Sequence, residues 1–296
     1  MYIESYIESI RTHYPDLDIK TARYHDSSDG QFNVILWVNE EIVFRFPHSV
    51  ETAETFMTEI KLLTYLRPHL SLPIPHPQFQ HPALAGTLEE GDTRLFMGYY
   101  ALPGKPFWRE TLDAIEDETV LDHLAAQLAG FLKELHSIPA DAFDMPLVIQ
   151  DVREDWVKMY DDFRTYLYPY MRPDAQAAVT ANFEKFLNDP TQFDYVPAFR
   201  HGDFGPGNIL YDADNKTISG IIDFDSIGLG DPAVDVGAVL TLGEPFFARM
   251  CRVYPEMATY RPRVAFYQST YALQEALYGL RDNVMESFEA GIADYR

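Results

Sequence analysis

Apolar residues first recur at Ile3, Tyr6, Ile7 and Ile10, the spacing of one helix face over residues 2–13. Two runs rich in β-branched and aromatic residues follow, FNVILWV at 32–38 and EIVFRF at 41–46. Only Asn39 and Glu40 separate them, which predicts a hairpin. Helical periodicity returns over 51–70 through Phe56, Ile60, Leu63 and Leu66, and Pro68 breaks it. The proline-rich stretch 70–83, LSLPIPHPQFQHPA, predicts an extended surface connection. The run TRLFMGYYALPG at 93–104 reads as a last strand that stops at the Pro103-Gly104 turn.

Beyond that turn the pattern changes. Residues 113–136 place Ile115, Leu121, Leu124, Leu128, Leu132 and Leu135 on one helical stripe, and 262–293 are again helical. Between them, NILY and TISGIIDF read as short strands around the polar turn DADNKT. The expectation is an α+β chain of two lobes. A small antiparallel-sheet lobe spans 1–102, with a hinge near 98–104, and a mostly helical lobe spans 103–296. A cleft between such lobes is a common place for a ligand.

Composition narrows the function classes. A chain of 296 residues with 47% hydrophobic, 23% charged and 14% aromatic residues is that of an ordinary globular protein. Cys251 is the only cysteine, so neither an internal disulfide nor a multi-cysteine zinc site can form, which fits a reducing cytoplasm. The N-terminus lacks the basic start and apolar run of a signal peptide, and no stretch approaches the roughly 18 apolar residues of a membrane span. A net charge of −23 repels nucleic acid phosphates. It serves solubility, or part of it attracts a cationic substrate.

The chemistry concentrates in HGDFGPGN, residues 201–208, and in IIDFD, residues 221–225. Asp203 and Asn208 lie five positions apart in a glycine-rich loop, and Asp223 ends an apolar strand. Phosphoryl transfer needs a group to take the hydroxyl proton and oxygen ligands to hold magnesium against the phosphates. Aspartate supplies a base and a ligand, and asparagine a ligand without added negative charge. Gly202, Gly205 and Gly207 allow turns that a Cβ would forbid. A lone Asp-x4-Asn is equally a polar turn. The apolar strand ending in IDFD and the GDPAVD that follows favour a kinase site.

These residues resemble the aminoglycoside phosphotransferase family, whose fold is that of the protein kinases. The likeness rests on HGDFGPGNIL and GIIDFDSIGLGDPAVDVGAVL. It extends to VFRFP at 43–47, Glu59, LAGFLKELHSI at 128–138 and the C-terminal YALQEALYGLRDNVMESFEAGI. Order and spacing are most similar to the 2″-phosphotransferases, while macrolide, choline, homoserine and fructosamine kinases share the motifs. The resemblance implies transfer from GTP or ATP to a hydroxyl of an aminoglycoside, with two magnesium ions, in a cytoplasmic monomer that binds neither nucleic acid nor membrane. A macrolide or other small alcohol is the alternative acceptor, and a nucleotide-binding pseudokinase the third reading.

By the same resemblance, Asp203 is the base and Asn208 and Asp223 are the magnesium ligands. His201, Asp231 and Asp235 brace the loop. Ser28 and Gly30 of SSDGQFN belong to the phosphate-covering loop, and Tyr99, Tyr100, Ala101 and Leu102 to the segment facing the base. Tyr99 falls at the gatekeeper place, where a bulky tyrosine accompanies preference for GTP; a core strand tyrosine is the plainer reading. Arg45 stands where the family has a lysine paired to a glutamate, here Glu59. Arginine keeps the charge in a forked, bulkier form, and strand alternation alone would also place an arginine outward. Glu275 falls where the resembling enzymes face their substrate with acid, with Asp282, Glu286 and Glu289 following at helical spacing. In TLGEPFF at 241–247 only Glu244 is acidic, which implies a less anionic acceptor site.

Overall fold

The structure, a computed structural model, describes residues 3–25, 33–47, 50–81, 93–143 and 152–296. The chain forms two compact units: Met1–Trp108 with Gly207–Ile227, and Arg109–Pro206 with Gly228–Arg296.

In the first unit, α1 (Ile3–His13) precedes β1 (Ala22–Tyr24), β2 (Asn33–Val38) and β3 (Ile42–Pro47). Helix α2 (Val50–Leu66), β4 (Phe79–His81), β5 (Phe96–Tyr100) and β6 (Lys105–Pro106) follow. The first five strands make one antiparallel sheet in the order β1-β2-β3-β5-β4. Asn39 and Glu40 make the β2–β3 turn with φ of 53° and 57°, and the Asn39 side chain accepts from the Lys20 and Thr21 N–H groups. Helix α2 ends at Leu66 and tightens to a 3₁₀ turn at Arg67–His69, since Pro68 cannot continue it. The proline-rich stretch is not wholly free of structure. Its Phe79–His81 become β4, an edge strand beside β5.

The second unit holds α3 (Arg109–Asp113), α4 (Glu118–Ser137), α5 (Val152–Asp162), α6 (Pro173–Leu187) and the short β7 (Ala198–Arg200). The chain then crosses to the first unit as the hairpin β8 (Ile209–Asp212) and β9 (Thr217–Ile221), which joins β6. It returns as β10 (Gly228–Gly230), paired with β7, and as α7 (Ala233–Val239), α8 (Glu244–Met250), α9 (Arg261–Arg281) and α10 (Met285–Ile292). The stripe expected from 113 begins at 118, because Asp117 caps α4 by accepting the N–H groups of Thr119 and Val120. The C-terminal helical stretch divides between α9 and α10, where Asn283 takes φ of 59°.

The sheet of the first unit has two unlike faces. Alternation puts Phe44, Phe46 and Phe96 on the side of α1, buried with Tyr6 and Ile10. Val43 and Arg45 of β3, with Met97 and Tyr99 of β5, take the other face. In the second unit, Leu124, Leu128, Phe131, Leu132 and Leu135 of α4 are buried. Phe186 of α6 stacks on Phe266 of α9, centroids 3.7 Å apart. No helix among the described residues is long and apolar enough to cross a membrane.

Candidate active site

Arg45 is 5% exposed, so it is not an outward strand arginine. Its Nη1 donates to Glu59 Oε1 at 2.6 Å, from a glutamate 2% exposed on α2. Its Nη2 donates to Asp225 Oδ1, and Asn33 Nδ2 donates to Asp225 Oδ2 at 3.1 Å. Burial pushes the Glu59 carboxyl up, against the pull of Arg45. Burial opposes the Arg45 charge, but Glu59, Tyr99 and Asp223 outweigh it and raise its pKa. The 2.6 Å contact is that of a charged pair. The Tyr99 phenol lies on the same face, and burial pushes it up to about 12, with the Arg45 charge opposing.

The β8–β9 hairpin brings Asn208 and Asp223 to one end. Ile209 pairs with Ile221, and the Ile222 N–H donates to the Asn208 carbonyl at 2.9 Å. Asp223 then takes φ of 64° and is exposed. Asparagine and aspartate supply two oxygen donors. Among the described residues no three His, Cys, Asp or Glu side chains gather as a metal cage.

At 99–102 the sheet already uses part of the backbone. The Ala101 N–H donates to the Glu41 carbonyl at 2.8 Å, so it is spent on the sheet. Strand alternation turns the backbone groups of Tyr100, the last residue of β5, the other way. Ser28 and Gly30 lie outside the described residues.

In the second unit, Asp203 sits on an exposed loop held from behind. Phe204 is buried against Phe131 of α4, rings stacked 5.5 Å apart. The fully buried Asp235 of α7 accepts the N–H groups of His201 at 2.9 Å and Gly202 at 2.8 Å. His136 Nε2, at the end of α4, lies 3.1 Å from the same carboxylate. A carboxylate only accepts, so that nitrogen donates. Burial works against the Asp235 charge, yet His136 and the loop N–H groups outweigh it and lower its pKa. The Asp203 N–H donates to His201 Nδ1 at 3.2 Å. Asp231 accepts from the Ala233 N–H at the start of α7, from Arg263 at 2.6 and 3.1 Å, and from the Tyr267 hydroxyl at 2.7 Å.

Of the three loop glycines, only Gly202 has a positive φ, 90°. Gly207 is needed for another reason: a Cβ there would lie 3.1 Å from the Trp108 ring.

Asp203 lines a cavity of about 420 Å³ within this unit. Trp156, Tyr267, Tyr271, Thr241 and Gln274 form much of the wall, and among the described residues Asp203 is the one charged residue in it. Burial, then the charges of Asp203 and Asp235, push the Tyr271 phenol up to about 12. The other expected substrate residues are not in the lining. Glu244 is held in a two-pronged ion pair with Arg261, at 2.8 and 2.6 Å. Glu275 and Asp282 are exposed, the latter just past the end of α9.

Sequence reasoning did not single out Asp225, Asn33, His136, Trp156 or Tyr271. Asp225 could have been found, since IDFD offers a second carboxylate two residues after Asp223. The aromatic wall could not, because Trp156 and Tyr271 come from helices more than 100 residues apart in the chain.

Among solved structures, the GDP and kanamycin complex of an aminoglycoside 2″-phosphotransferase superposes with a TM-score of 0.85 at 25% identity, covering 97% of this chain and 96% of that one. A macrolide 2′-phosphotransferase from Brachybacterium faecium shares the fold, with a TM-score of 0.68 at 20% identity over 95% of this chain and 94% of that one. Viomycin phosphotransferase of Streptomyces vinaceus is 26% identical over 176 residues, 57% of this chain and 58% of that relative's length. The fold is thus the kinase-like α+β fold foreseen. The sequence profile of the phosphotransferase enzyme family matches residues 23–267, and the chain belongs to that family.

Proposed function

We propose that this protein transfers the γ-phosphoryl group of a nucleoside triphosphate to a hydroxyl of an antibiotic-like small molecule. The observation that carries this reading is the convergence of Asn208 and Asp223 at one end of the β8–β9 hairpin, in the unit that also buries the Arg45–Glu59 pair. In this reading Arg45 holds phosphate oxygens, with Glu59 fixing it from behind. Tyr100 and Leu102 face the base, and Asn208 and Asp223 hold magnesium. When bound, magnesium neutralises charge on the phosphates and aligns them for in-line transfer. Asp203 takes the proton of the acceptor hydroxyl as its oxygen attacks the γ-phosphorus, and the nucleoside diphosphate departs. Asp235 and His201 keep the loop in place.

For the acceptor, an aminoglycoside is the reading supported by the kanamycin-bound structure that this chain resembles. A second reading has its own observation. Among the described residues Asp203 is the one charged residue in a wall of Trp156, Tyr267 and Tyr271, which suits a hydroxylated molecule with an apolar face and few amines. Nucleoside diphosphate release, measured with GTP and ATP against kanamycin, viomycin, a macrolide and simple alcohols, decides between them. Turnover of kanamycin alone supports the first reading and of the macrolide alone the second. No release with any acceptor, together with no binding of either nucleotide, removes the kinase reading.

A further inference from the structure

Asp225 takes no part in the reading above, yet its carboxylate has two side-chain partners on the face that carries Arg45. Its Oδ1 accepts from Arg45 Nη2 and its Oδ2 from Asn33 Nδ2. Asn33 opens β2 and is itself buried. Arg45 bonds to Glu59 through its other arm. The result is one chain of contacts, Glu59–Arg45–Asp225–Asn33, that joins α2, β3, β2 and the segment after β9. Asp223, two residues before Asp225, has φ of 64° and is turned outward at the head of this segment.

An arginine anchored by one nitrogen can still swing its plane about that contact. Anchored at both ends of its fork, it presents a fixed donor edge. A lysine has a single ammonium and no plane to fix. We propose that Asp225 is a positioning residue for nucleotide binding, one that acts through Arg45. It fixes the guanidinium plane and, by the same bond, the turn on which Asp223 stands. The inference rests on the reading of this face as the nucleotide site, and it supplies a reason why arginine works in place of lysine here.

Calorimetry of the full chain with magnesium GTP and magnesium ATP tests it without any acceptor. Asp225→Ala is expected to weaken nucleotide binding about tenfold or more, while thermal unfolding shows the chain still folded. Asp225→Asn, which retains an acceptor for Arg45, recovers a substantial part of that loss. In an Arg45→Lys background, Asp225→Ala should change the Kd by less than about twofold, because its route to the nucleotide is gone. Three results overturn the proposal: unchanged affinity in Asp225→Ala, tighter binding (the carboxylate then competes with phosphate), or the same fold loss in both backgrounds. A wild type that binds neither nucleotide refutes the nucleotide-site reading itself, and the two failures are thereby told apart. Should Asp225→Ala not fold, Asp225→Asn read in the wild-type and Arg45→Lys backgrounds decides by the same non-additivity.

Discussion

Replacing Asp235 by asparagine isolates what holds the Asp203 loop. The carboxylate makes three contacts: Oδ2 with the His201 N–H and His136 Nε2, and Oδ1 with the Gly202 N–H. An asparagine oxygen in the Oδ2 place keeps the first two. Its NH₂ then faces the Gly202 N–H, donor against donor, in a site where Asp235 is fully buried. One charge-assisted bond is lost and one buried donor is orphaned, each worth about 1–3 kcal/mol. The expected loss is about 2–6 kcal/mol, a large part of the roughly 5–15 kcal/mol that folding yields.

Acid adds a second signature. The folded Asp235 has a pKa below its ordinary value of 3.8. Its stabilisation is therefore complete above that value and is lost as pH falls through the folded pKa. Urea unfolding of wild type and Asp235→Asn should differ by a steady amount well above pH 3.8 and converge as pH falls through the lowered folded pKa. Nucleoside diphosphate release should fall as well, since the loop carries Asp203. A difference under about 0.5 kcal/mol at pH 7, or one that persists unchanged in acid, refutes the reasoning.

Three further outcomes are expected. Asp203→Asn should lower turnover about 10²- to 10⁴-fold with nucleotide Kd unchanged; near-normal turnover removes Asp203 as the base. Asp223→Ala should abolish the magnesium-dependent part of nucleotide binding, and equal calorimetric affinity with and without Asp223 counts against it. GTP should support turnover at least as well as ATP, because the buried Tyr99 closes the inner end of the face where adenine would reach; Tyr99→Leu should shift preference toward ATP, and a wild type that uses ATP and hardly GTP refutes this.

Much of the fold was legible because its signals are local. The hairpin at Asn39 and Glu40, the stop at Pro68 and the stripe of α4 depend on residues within one turn of each other. The misses share a cause. Phe79–His81 become a strand because β5 offers an open edge beside them, and a proline-rich stretch carries no record of that edge. Helices α5 and α6 drew no notice although Trp156, Phe183 and Phe186 are in them. Their aromatic residues are matched by Phe266 and Tyr267 of α9, and the reason for the pattern lies far along the chain.

The site divides the same way. Asp203, Asn208 and Asp223 are recognisable because a loop and a hairpin carry them within about 20 residues of chain, a spacing that suits the proposed phosphoryl transfer. An acceptor site has no such constraint. Helical spacing in α9 identifies which residues can face water, and Glu275 satisfies it, but an exposed carboxylate becomes a substrate contact only if neighbouring helices leave a concavity there. The concavity instead forms where Gly202, Gly205 and Pro206 of the loop meet Val234 and Ala238 of α7 and the rings of Trp156 and Tyr271. Glu244, the acid that TLGEPFF offered, is neutralised by Arg261 from the start of α9. A net charge says nothing of where the carboxylates lie, and a ligand meets only those that line its site. For this chain, with a net charge of −23, the expected acids Glu244, Glu275 and Asp282 lie outside the lining of the cavity beside Asp203, so the net charge does not describe that cavity.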